Sequence, residues 1–228
     1  MDKIFTFAGL RLASGPLAYE NSQFVISEDW KQNSFGKAFG KTDGSTYFNW
    51  NEVQNLDLDG WRLPTIDEWQ AITTTDVAVR PGSTVNGTKN AHWALIELTD
   101  VSHAGSSNPC GLLLFPDGAT INGKALDATD KIHEYNNETE QDVWYCTTDV
   151  TLTELNEFLA QGCVFLPRSG SVFGEGDWYN GGFGGYYWSS TQEPVGNAWY
   201  LFFYRGGVPA ECGLYKSSLF LSVRLVRE

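Results

Sequence analysis

The segment AWYLFFY, which ends at Tyr204, constrains the fold of this chain more than any other feature. Its high aromatic content is typical of a β-strand. Side chains along a strand point to opposite faces in turn, so Leu201 and Phe203 share one face. The other face carries Tyr200, Phe202 and Tyr204. Because both faces are apolar, the strand is either buried on both sides or exposes its aromatic face to a partner.

Length and composition favour one β-containing domain. A chain of 228 residues can bury a sizeable core, and β-rich domains of this size are often single. Aromatic residues make up 14% of the chain and are accompanied by 24 glycines, a composition that favours strands and turns over long helices. We therefore predict a single domain over residues 1–228, with residues 1–55 as an N-terminal strand and loop extension packed on it.

The charge of the chain argues against two classes of partner. A net charge of −13 disfavours nucleic acid, whose binding depends on neutralising phosphates with Lys and Arg. The same sign disfavours an anionic membrane surface. No run of about 18 apolar residues is present, so no membrane insertion is predicted. The start MDKIFTF lacks the basic residues and long apolar core of a secretory signal, so no signal peptide is predicted in this chain.

The cysteines and histidines do not predict a metal site or a cofactor. The four cysteines lie at positions 110, 146, 163 and 212, without a Cys-x-x-Cys pair, and the histidines lie scattered at 92, 103 and 133. Neither spacing resembles a zinc site, and a disulfide framework is typical of shorter secreted chains. Cys163 lies in the apolar run CVFL, which favours a buried free thiol.

Two helix starts carry the signature of a capping box, in which the N-cap side chain and the third helical residue bond each other's backbone. Thr65 and Glu68 form the first pair, and Thr151 and Glu154 form the second. Gly162 suits the left-handed conformation that ends the second helix.

Strands are predicted from short apolar runs bounded by turn residues. The predicted strands are residues 4–7, 24–26, 92–98, 111–115 and 164–166, followed by two or three C-terminal strands. Residues 34–60 are predicted to be ordered loop, residues 126–149 a polar surface excursion, and residues 170–185 a glycine-rich stretch. Two helices among many short strands and long ordered loops indicate an α+β fold.

Three motifs, GWRLPT at 60–65, YWSST at 187–191 and VRLV at 223–226, occur together in this order. This set resembles the "major paralogous" surface-domain family common in gut bacteria. The resemblance implies a C-type lectin-like fold with short antiparallel strands, similar to formylglycine-generating-enzyme-like domains. It also implies structural anchors. Trp61 and Trp188 are expected to meet in the core, and Arg62 and Arg224 to bind carbonyls or carboxylates. The full set of predicted anchors is Trp61, Arg62, Trp69, Trp188, Leu201, Phe203 and Arg224.

Within that family, the C-terminal segment resembles the variable proteins of diversity-generating retroelements, in which error-prone copying of template adenines rewrites AAC (Asn) codons. In related sequences the strand after WSST reads NAWNLNFN, and here residues 197–204 read NAWYLFFY. Tyr and Phe codons can arise from AAC by substitution of adenine, whereas the codons of Glu211 and Lys216 cannot. The resemblance implies a variable, ligand-binding region over residues 184–228. The candidate binding residues are Glu193, Val195, Tyr200, Phe202, Tyr204, Arg205, Gly207, Pro209, Ala210, Cys212, Leu214, Tyr215 and Ser217.

The function implied is recognition of an unknown protein or glycan receptor by a protein displayed on a phage particle or a cell surface. Rigid aromatic side chains suit such a surface because they offer contact area at small entropic cost. A structural or adhesive tip subunit of a pilus or fimbria is the alternative, and gene neighbours would separate the two. The oligomeric state is open.

Two further classes are less favoured. A calcium-dependent sugar lectin needs several oxygen ligands, and the nearest motif, QEPV at 192–195, lacks one at Val195. The turn DLDG at 57–60 is better explained as a solvated turn. An enzyme is not predicted, because Cys212 has no reactive partner in the sequence and no catalytic arrangement of Ser, His and Asp stands out.

Overall fold

The computed structural model describes residues 4–28, 39–73, 83–85, 88–91, 93–101, 110–124, 126, 134–136, 141–143, 148–174, 177–179, 184–194, 196–204, 215–216 and 218–228. The helices are α1 (Trp50–Val53), α2 (Ile66–Thr73) and α3 (Leu152–Ala160). The strands are β1 (Arg11–Leu12), β2 (Leu17–Glu20), β3 (Gln23–Ile26), β4 (Tyr47–Asn49), β5 (Ser83–Val85), β6 (Thr88–Ala91), β7 (Trp93–Leu98), β8 (Cys110–Leu114), β9 (Thr120–Ile121), β10 (Glu134–Asn136), β11 (Gln141–Val143), β12 (Thr148–Val150), β13 (Val164–Pro167), β14 (Ser171–Phe173), β15 (Asp177–Tyr179), β16 (Gly184–Gln192), β17 (Asn197–Tyr204), β18 (Tyr215–Lys216), β19 (Leu219–Ser222) and β20 (Val226–Arg227).

The described residues form a mostly β, sandwich-like structure with several multi-stranded sheets. The prediction of an α+β, C-type lectin-like fold with two helices is therefore wrong. The reason is that two segments contribute strands the sequence did not predict: β4 in the predicted loop at 34–60, and β14 and β15 in the glycine-rich stretch at 170–185. Short strands of this kind carry too little periodicity to be separated from ordered loop.

A four-stranded sheet in the order β12-β7-β8-β13 has a buried apolar cluster on each of its two faces. Helix α3 packs on one face of this sheet, where Leu155 and Phe158 contact the cluster that includes Ile96, Leu113 and Phe165. The helix begins at its predicted capping box, since the Thr151 side chain accepts from the backbone N–H of Glu154 and the Glu154 carboxylate accepts in return. Gly162 has a φ of +92° at its end, as predicted.

The other face of the four-stranded sheet packs against a seven-stranded sheet in the order β15-β14-β19-β16-β17-β18, with β4 paired to β19. Leu112 and Leu166 from the first sheet meet Tyr187, Leu201 and Phe203 from the second, and helix α2 closes the side of this cluster. The two sheets therefore share one buried layer, as in a sandwich.

A third layer covers the far face of the seven-stranded sheet. The cluster there joins Leu17 of β2 and Val53 of α1 with Phe48, Trp188 and Tyr200 of the sheet. Both faces of the hairpin formed by β16 and β17 thus contact apolar side chains along at least part of its length.

A ladder of three side-chain hydrogen bonds joins the edge of β13 to the neighbouring layer. Even-numbered backbone groups of this segment point toward β8, as in the bond from Arg168 N to the Cys110 carbonyl. The odd-numbered carbonyls point outward, where strand neighbours would otherwise bind. They accept instead from Arg224 Nη2 (Phe165 carbonyl, 2.8 Å), the Tyr187 hydroxyl (Pro167 carbonyl, 2.8 Å) and the Tyr47 hydroxyl (Ser169 carbonyl, 2.7 Å).

Several predicted elements are confirmed and others are wrong. The strands predicted at 24–26, 92–98, 111–115 and 164–166 occur with ends shifted by a residue or two. Residues 4–7 form no strand, because Phe7 only bridges Leu10 across a tight turn. The loop predicted at 34–60 contains β4 and α1, whose capping box of Asn49 and Glu52 was not recognised. Most of the predicted surface excursion at 126–149 lies outside the described residues, except Leu126, β10, β11 and the start of β12. Leu126 is buried in the cluster on which α3 packs, so the surface prediction is wrong for this residue.

The three described helices are four, eight and nine residues long, which is too short to cross a membrane.

Candidate functional site

The hairpin of β16 and β17 contains the two longest strands that the structure describes, of nine and eight residues. Its antiparallel register pairs Gly184 with Tyr204, Gly185 with Phe203 and Trp188 with Tyr200, and the register shifts between Trp188 and Gln192. A bulge of this kind bends the strand and increases its twist. The two strands therefore present aromatic residues on both faces of a rigid hairpin.

One face of β17 is fully buried. Leu201 and Phe203 are 0% exposed. The Phe203 ring stacks on the Tyr187 ring, with centroids 5.9 Å apart and planes 13° apart. These side chains lie in the layer between the two sheets, which fixes the position of the strand from below.

Two glycines opposite the aromatic residues make this packing possible. A Cβ at Gly185 would overlap the Phe203 ring, and a Cβ at Gly184 would lie 2.9 Å from the Phe202 ring. The rings therefore lie over the bare backbone of the facing strand, an arrangement in which an aromatic residue covers the gap left by glycine.

Tyr200 was predicted to contact a ligand, and this prediction is wrong for the structure described. Its side chain is only 3% exposed, because it packs against the third layer and meets the Trp188 ring edge-on, with centroids 6.1 Å apart. Alternation along the strand assigns Tyr200 to the correct face but does not show that another layer covers this end of it.

Phe202 and Tyr204, which we call the aromatic surface, remain half-buried on the same face. Their rings stack with centroids 5.4 Å apart and planes 15° apart. The Phe202 ring also contacts Tyr186, with centroids 4.8 Å apart. The face thus changes from buried at Tyr200 to accessible at Tyr204, on a backbone held from the opposite side.

The turn of the hairpin carries Glu193, a further candidate, which is half-buried. Its backbone N–H donates to the Asn197 carbonyl at 2.8 Å, and its carboxylate accepts from the Asn197 side chain at 3.1 Å. Gly196 takes a φ of +87°, which only glycine adopts readily. Glu193 therefore also has a structural role in closing the turn.

The remaining candidate binding residues lie outside the described part of the chain: Val195, Arg205, Gly207, Pro209, Ala210, Cys212, Leu214 and Ser217. Tyr215 is described only by its backbone, which pairs with Ala198 as part of β18. The residues that the structure both describes and leaves accessible are therefore Glu193, Phe202 and Tyr204.

The motifs behind the predicted anchors contact one another. Ser190 N donates to the Pro64 carbonyl at 2.8 Å, and Ile66 N donates to the Thr191 hydroxyl at 2.9 Å. The Trp69 indole donates to the Trp188 carbonyl at 3.2 Å. Both of these tryptophans are 0% exposed, so the WSST strand and the start of α2 are fastened together in the core.

Trp61 and Arg62 lie closer to the surface than Trp69 and Trp188. Trp61 is half-buried and packs on the edge of the cluster that contains Trp188. Both terminal nitrogens of Arg62 donate to the Glu68 carboxylate, at 2.8 and 2.7 Å. This bidentate contact is the main cause that lowers the pKa of Glu68, and the backbone N–H of Thr65 adds to it.

Arg224 is the deepest charged group among the described residues. Its side chain is 0% exposed, and its guanidinium donates to the carbonyls of Phe165 and Ala13. Burial lowers the pKa of Arg224 to about 10, and interaction with Tyr187 partly offsets that effect. Two carbonyls rather than a carboxylate therefore hold this cation.

Sequence reasoning missed Tyr186 and the glycines opposite the strand. The signal was present in the run GGYYW, because alternation places Tyr186 on the same face as Phe202 once the hairpin register is known. Among the described residues, no three side chains of the His, Cys, Asp or Glu type lie close enough to hold a metal ion together.

Comparison with known proteins identifies one partial likeness. A family model described as a domain of unknown function, DUF8237, matches residues 13–103. The match covers β2 to β7 and ends before the hairpin that carries the aromatic surface. No curated protein and no solved structure matches the chain.

Proposed function

We propose that this protein is a recognition protein that binds a partner through the aromatic surface of its C-terminal hairpin. One observation carries the proposal: Phe202 and Tyr204 are stacked and half-buried on a strand whose opposite face is fully buried. A strand held in this way presents its outer side chains without a large loss of entropy on binding.

In protein–protein interfaces a few anchor residues contribute most of the binding energy, and aromatic residues are prominent among them. The Phe202 ring contacts Tyr186 beside it on the same face and lies over the bare backbone of Gly184, and Tyr204 stacks on Phe202. The surface is thus preformed, and it keeps its shape when a partner is absent.

Site-directed photo-crosslinking tests this proposal. A photoreactive phenylalanine analogue at position 204 is expected to capture a partner from intact bacterial cell surfaces. The matched control carries the analogue at Phe173, an aromatic residue of the same sheet that is 37% exposed. The proposal is supported if adducts form at position 204 and an excess of unlabelled wild-type protein reduces them. An equal excess of the Phe202→Ser/Tyr204→Ser variant should fail to reduce them. Identical adducts at both positions, or none, contradict it.

We also propose that this surface is diversified by a retroelement. The supporting features are the NAWYLFFY frame and the separation of its residues into buried framework positions (Leu201 and Phe203) and accessible positions (Phe202 and Tyr204). Phe202 and Tyr204 should tolerate substitution better than Leu201 and Phe203, because they are only half-buried.

The genomic DNA around this gene tests the diversification. We expect an imperfect repeat of the last hundred or so bases beside a reverse-transcriptase gene, with mismatches confined to template adenines. Display on a phage particle or a cell surface belongs to the same proposal, and structural genes of a phage nearby would support it. Pilus assembly genes without a repeat would instead favour the structural, adhesive alternative.

A further inference from the structure

Two arginines lie directly opposite each other on neighbouring antiparallel strands. β1 and β20 pair with Arg11 opposite Arg227 and Leu12 opposite Val226. Directly opposed residues share one face of a ladder, and like charges at such positions destabilise the pairing. Leu12 and Val226 are buried, so the two arginines occupy the outer face, where both are half-buried.

A third segment extends this ladder and brings an aromatic residue beside the arginines. Arg62 and Val226 exchange two backbone hydrogen bonds, of 3.0 and 2.8 Å. Continuing that antiparallel register by one residue places Trp61 opposite Arg227. The guanidinium carbon of Arg11 lies 5.6 Å from the centroid of the Trp61 ring, within the range of a cation–π contact. A Cβ at Gly60 would lie 3.9 Å from Nε of Arg227.

Neither of these guanidinium groups makes an ion pair or a side-chain hydrogen bond with the residues that the structure describes. Among the described residues, the ion pairs join Arg62 to Glu68 and Lys124 to Glu154. The chain has 28 acidic and 15 basic side chains, so carboxylates are abundant. Two cations nevertheless face each other across one ladder position.

We infer that Arg11, Arg227 and Trp61 form a binding site for a doubly charged oxyanion, a phosphate or sulfate group. Such a dianion would neutralise both guanidinium groups and accept their N–H donors in the forked geometry that arginine provides. The indole of Trp61 lies beside the same position, holds the Arg11 guanidinium there by the cation–π contact, and leaves its exposed edge to whatever carries the anion. This site is formed by residues other than those of the aromatic surface and does not depend on the function proposed above.

Thermal unfolding with added anion tests the site. Sodium sulfate or phosphate is titrated at constant ionic strength, balanced with sodium chloride. We expect a saturable rise in Tm of about 4 °C at ten times Kd in the wild type and in the control Lys124→Gln, a surface cation elsewhere on the chain. The double variant Arg11→Gln/Arg227→Gln is expected to lose the saturable rise. An equal rise in the double variant overturns the inference.

Two further measurements keep the test informative if the double variant folds poorly. At low ionic strength without sulfate or phosphate, Arg227→Gln is expected to raise Tm because it relieves the repulsion, and high salt should remove the difference. A lower Tm at every salt concentration would assign Arg227 a purely structural role and overturn the inference. Binding of phenyl phosphate distinguishes two sources of the anion. If phenyl phosphate binds more tightly than inorganic phosphate, the ligand is a phosphate ester of an aromatic group. If the two bind equally, the ligand is the free ion.

Discussion

The guanidinium of Arg224 donates to the carbonyl of Phe165 at 2.8 Å, across the boundary between the C-terminal segment and the edge of the four-stranded sheet. The hydroxyls of Tyr187 and Tyr47 continue the series on the carbonyls of Pro167 and Ser169. An exposed strand edge invites pairing with other chains, and here side chains occupy the acceptors that a further strand would use. Among the described residues, the four-stranded sheet therefore ends at β13, with these side chains in place of a further strand.

Removing one tyrosine hydroxyl of the ladder should lower the free energy of unfolding more than removing a tyrosine hydroxyl that makes no hydrogen bond. Tyr187→Phe leaves the Pro167 carbonyl buried without this donor, so we expect unfolding free energy to fall by about 1–3 kcal/mol. The control is Tyr19→Phe, because the Tyr19 hydroxyl has no hydrogen-bond partner among the described residues. Urea denaturation measures both. Equal losses for the two variants would show that the ladder adds nothing to stability.

Gly185→Ala is expected to disrupt the hairpin, because the added methyl group overlaps the Phe203 ring. Overpacking of a filled core costs about 1–3 kcal/mol, so the urea midpoint should fall accordingly. The matched control is Gly174→Ala, where the new Cβ would have its nearest neighbour at 3.8 Å. If both variants unfold at the same urea concentration, the close contact at Gly185 is not a constraint.

The contact of Glu68 with Arg62 predicts a dependence of stability on acid pH. Because the pKa of Glu68 is lowered in the folded state, its contribution is present above the unfolded pKa and is lost as pH falls through the folded value. Glu68→Gln should therefore be less stable than the wild type at pH 7, and the difference should shrink as the pH is lowered toward 3. Thermal unfolding between pH 7 and 3 measures it, with Asp67→Asn, an exposed neighbour, as the control. If the difference in stability between the wild type and Glu68→Gln stays constant from pH 7 to 3, the contact with Arg62 is not what lowers the pKa of Glu68.

The buried thiol of Cys163 predicts a loss of stability at alkaline pH. Burial raises the pKa of Cys163 to about 12 from an ordinary value of 9.0, so the unfolded chain releases this proton first. The contribution is full below pH 9 and falls as pH rises toward 12, by at most about 1.4 kcal/mol for each pH unit. Between pH 8 and 10, Cys163→Ala should therefore lose less unfolding free energy than the wild type, as chemical denaturation can measure. Parallel losses in the two proteins would show that Cys163 is not the group responsible.

The parts of the fold that local chemistry determines could be predicted from the sequence. The capping pair of Thr151 and Glu154 and the left-handed Gly162 act within a few residues of each other, so their outcome does not depend on the rest of the chain. The division of β17 into a buried face and an aromatic face follows in the same way from alternation. The sheet architecture could not be predicted, because pairs such as β1 with β20 join residues far apart in sequence.

The candidate site was predicted in part for the same reason. Alternation groups Tyr200 with Phe202 and Tyr204, but only the packing of the third layer distinguishes the buried residue from the accessible ones. The opposed pair of Arg11 and Arg227 has no local signature at all. It exists only because the register of two distant strands places one cation across from the other.

The hydrogen bond between Arg224 and the Ala13 carbonyl spans 211 positions of the chain, so it can form only late in synthesis. At typical rates of elongation, Ala13 leaves the peptidyl-transferase centre about 10 to 40 s before Arg224 is added. During that interval the outer carbonyls of β13 have no arginine, and β1 has no partner in β20. A ribosome that stalls before Arg224 is added therefore holds a nascent chain with two open strand edges, which is the state in which a chaperone would find it.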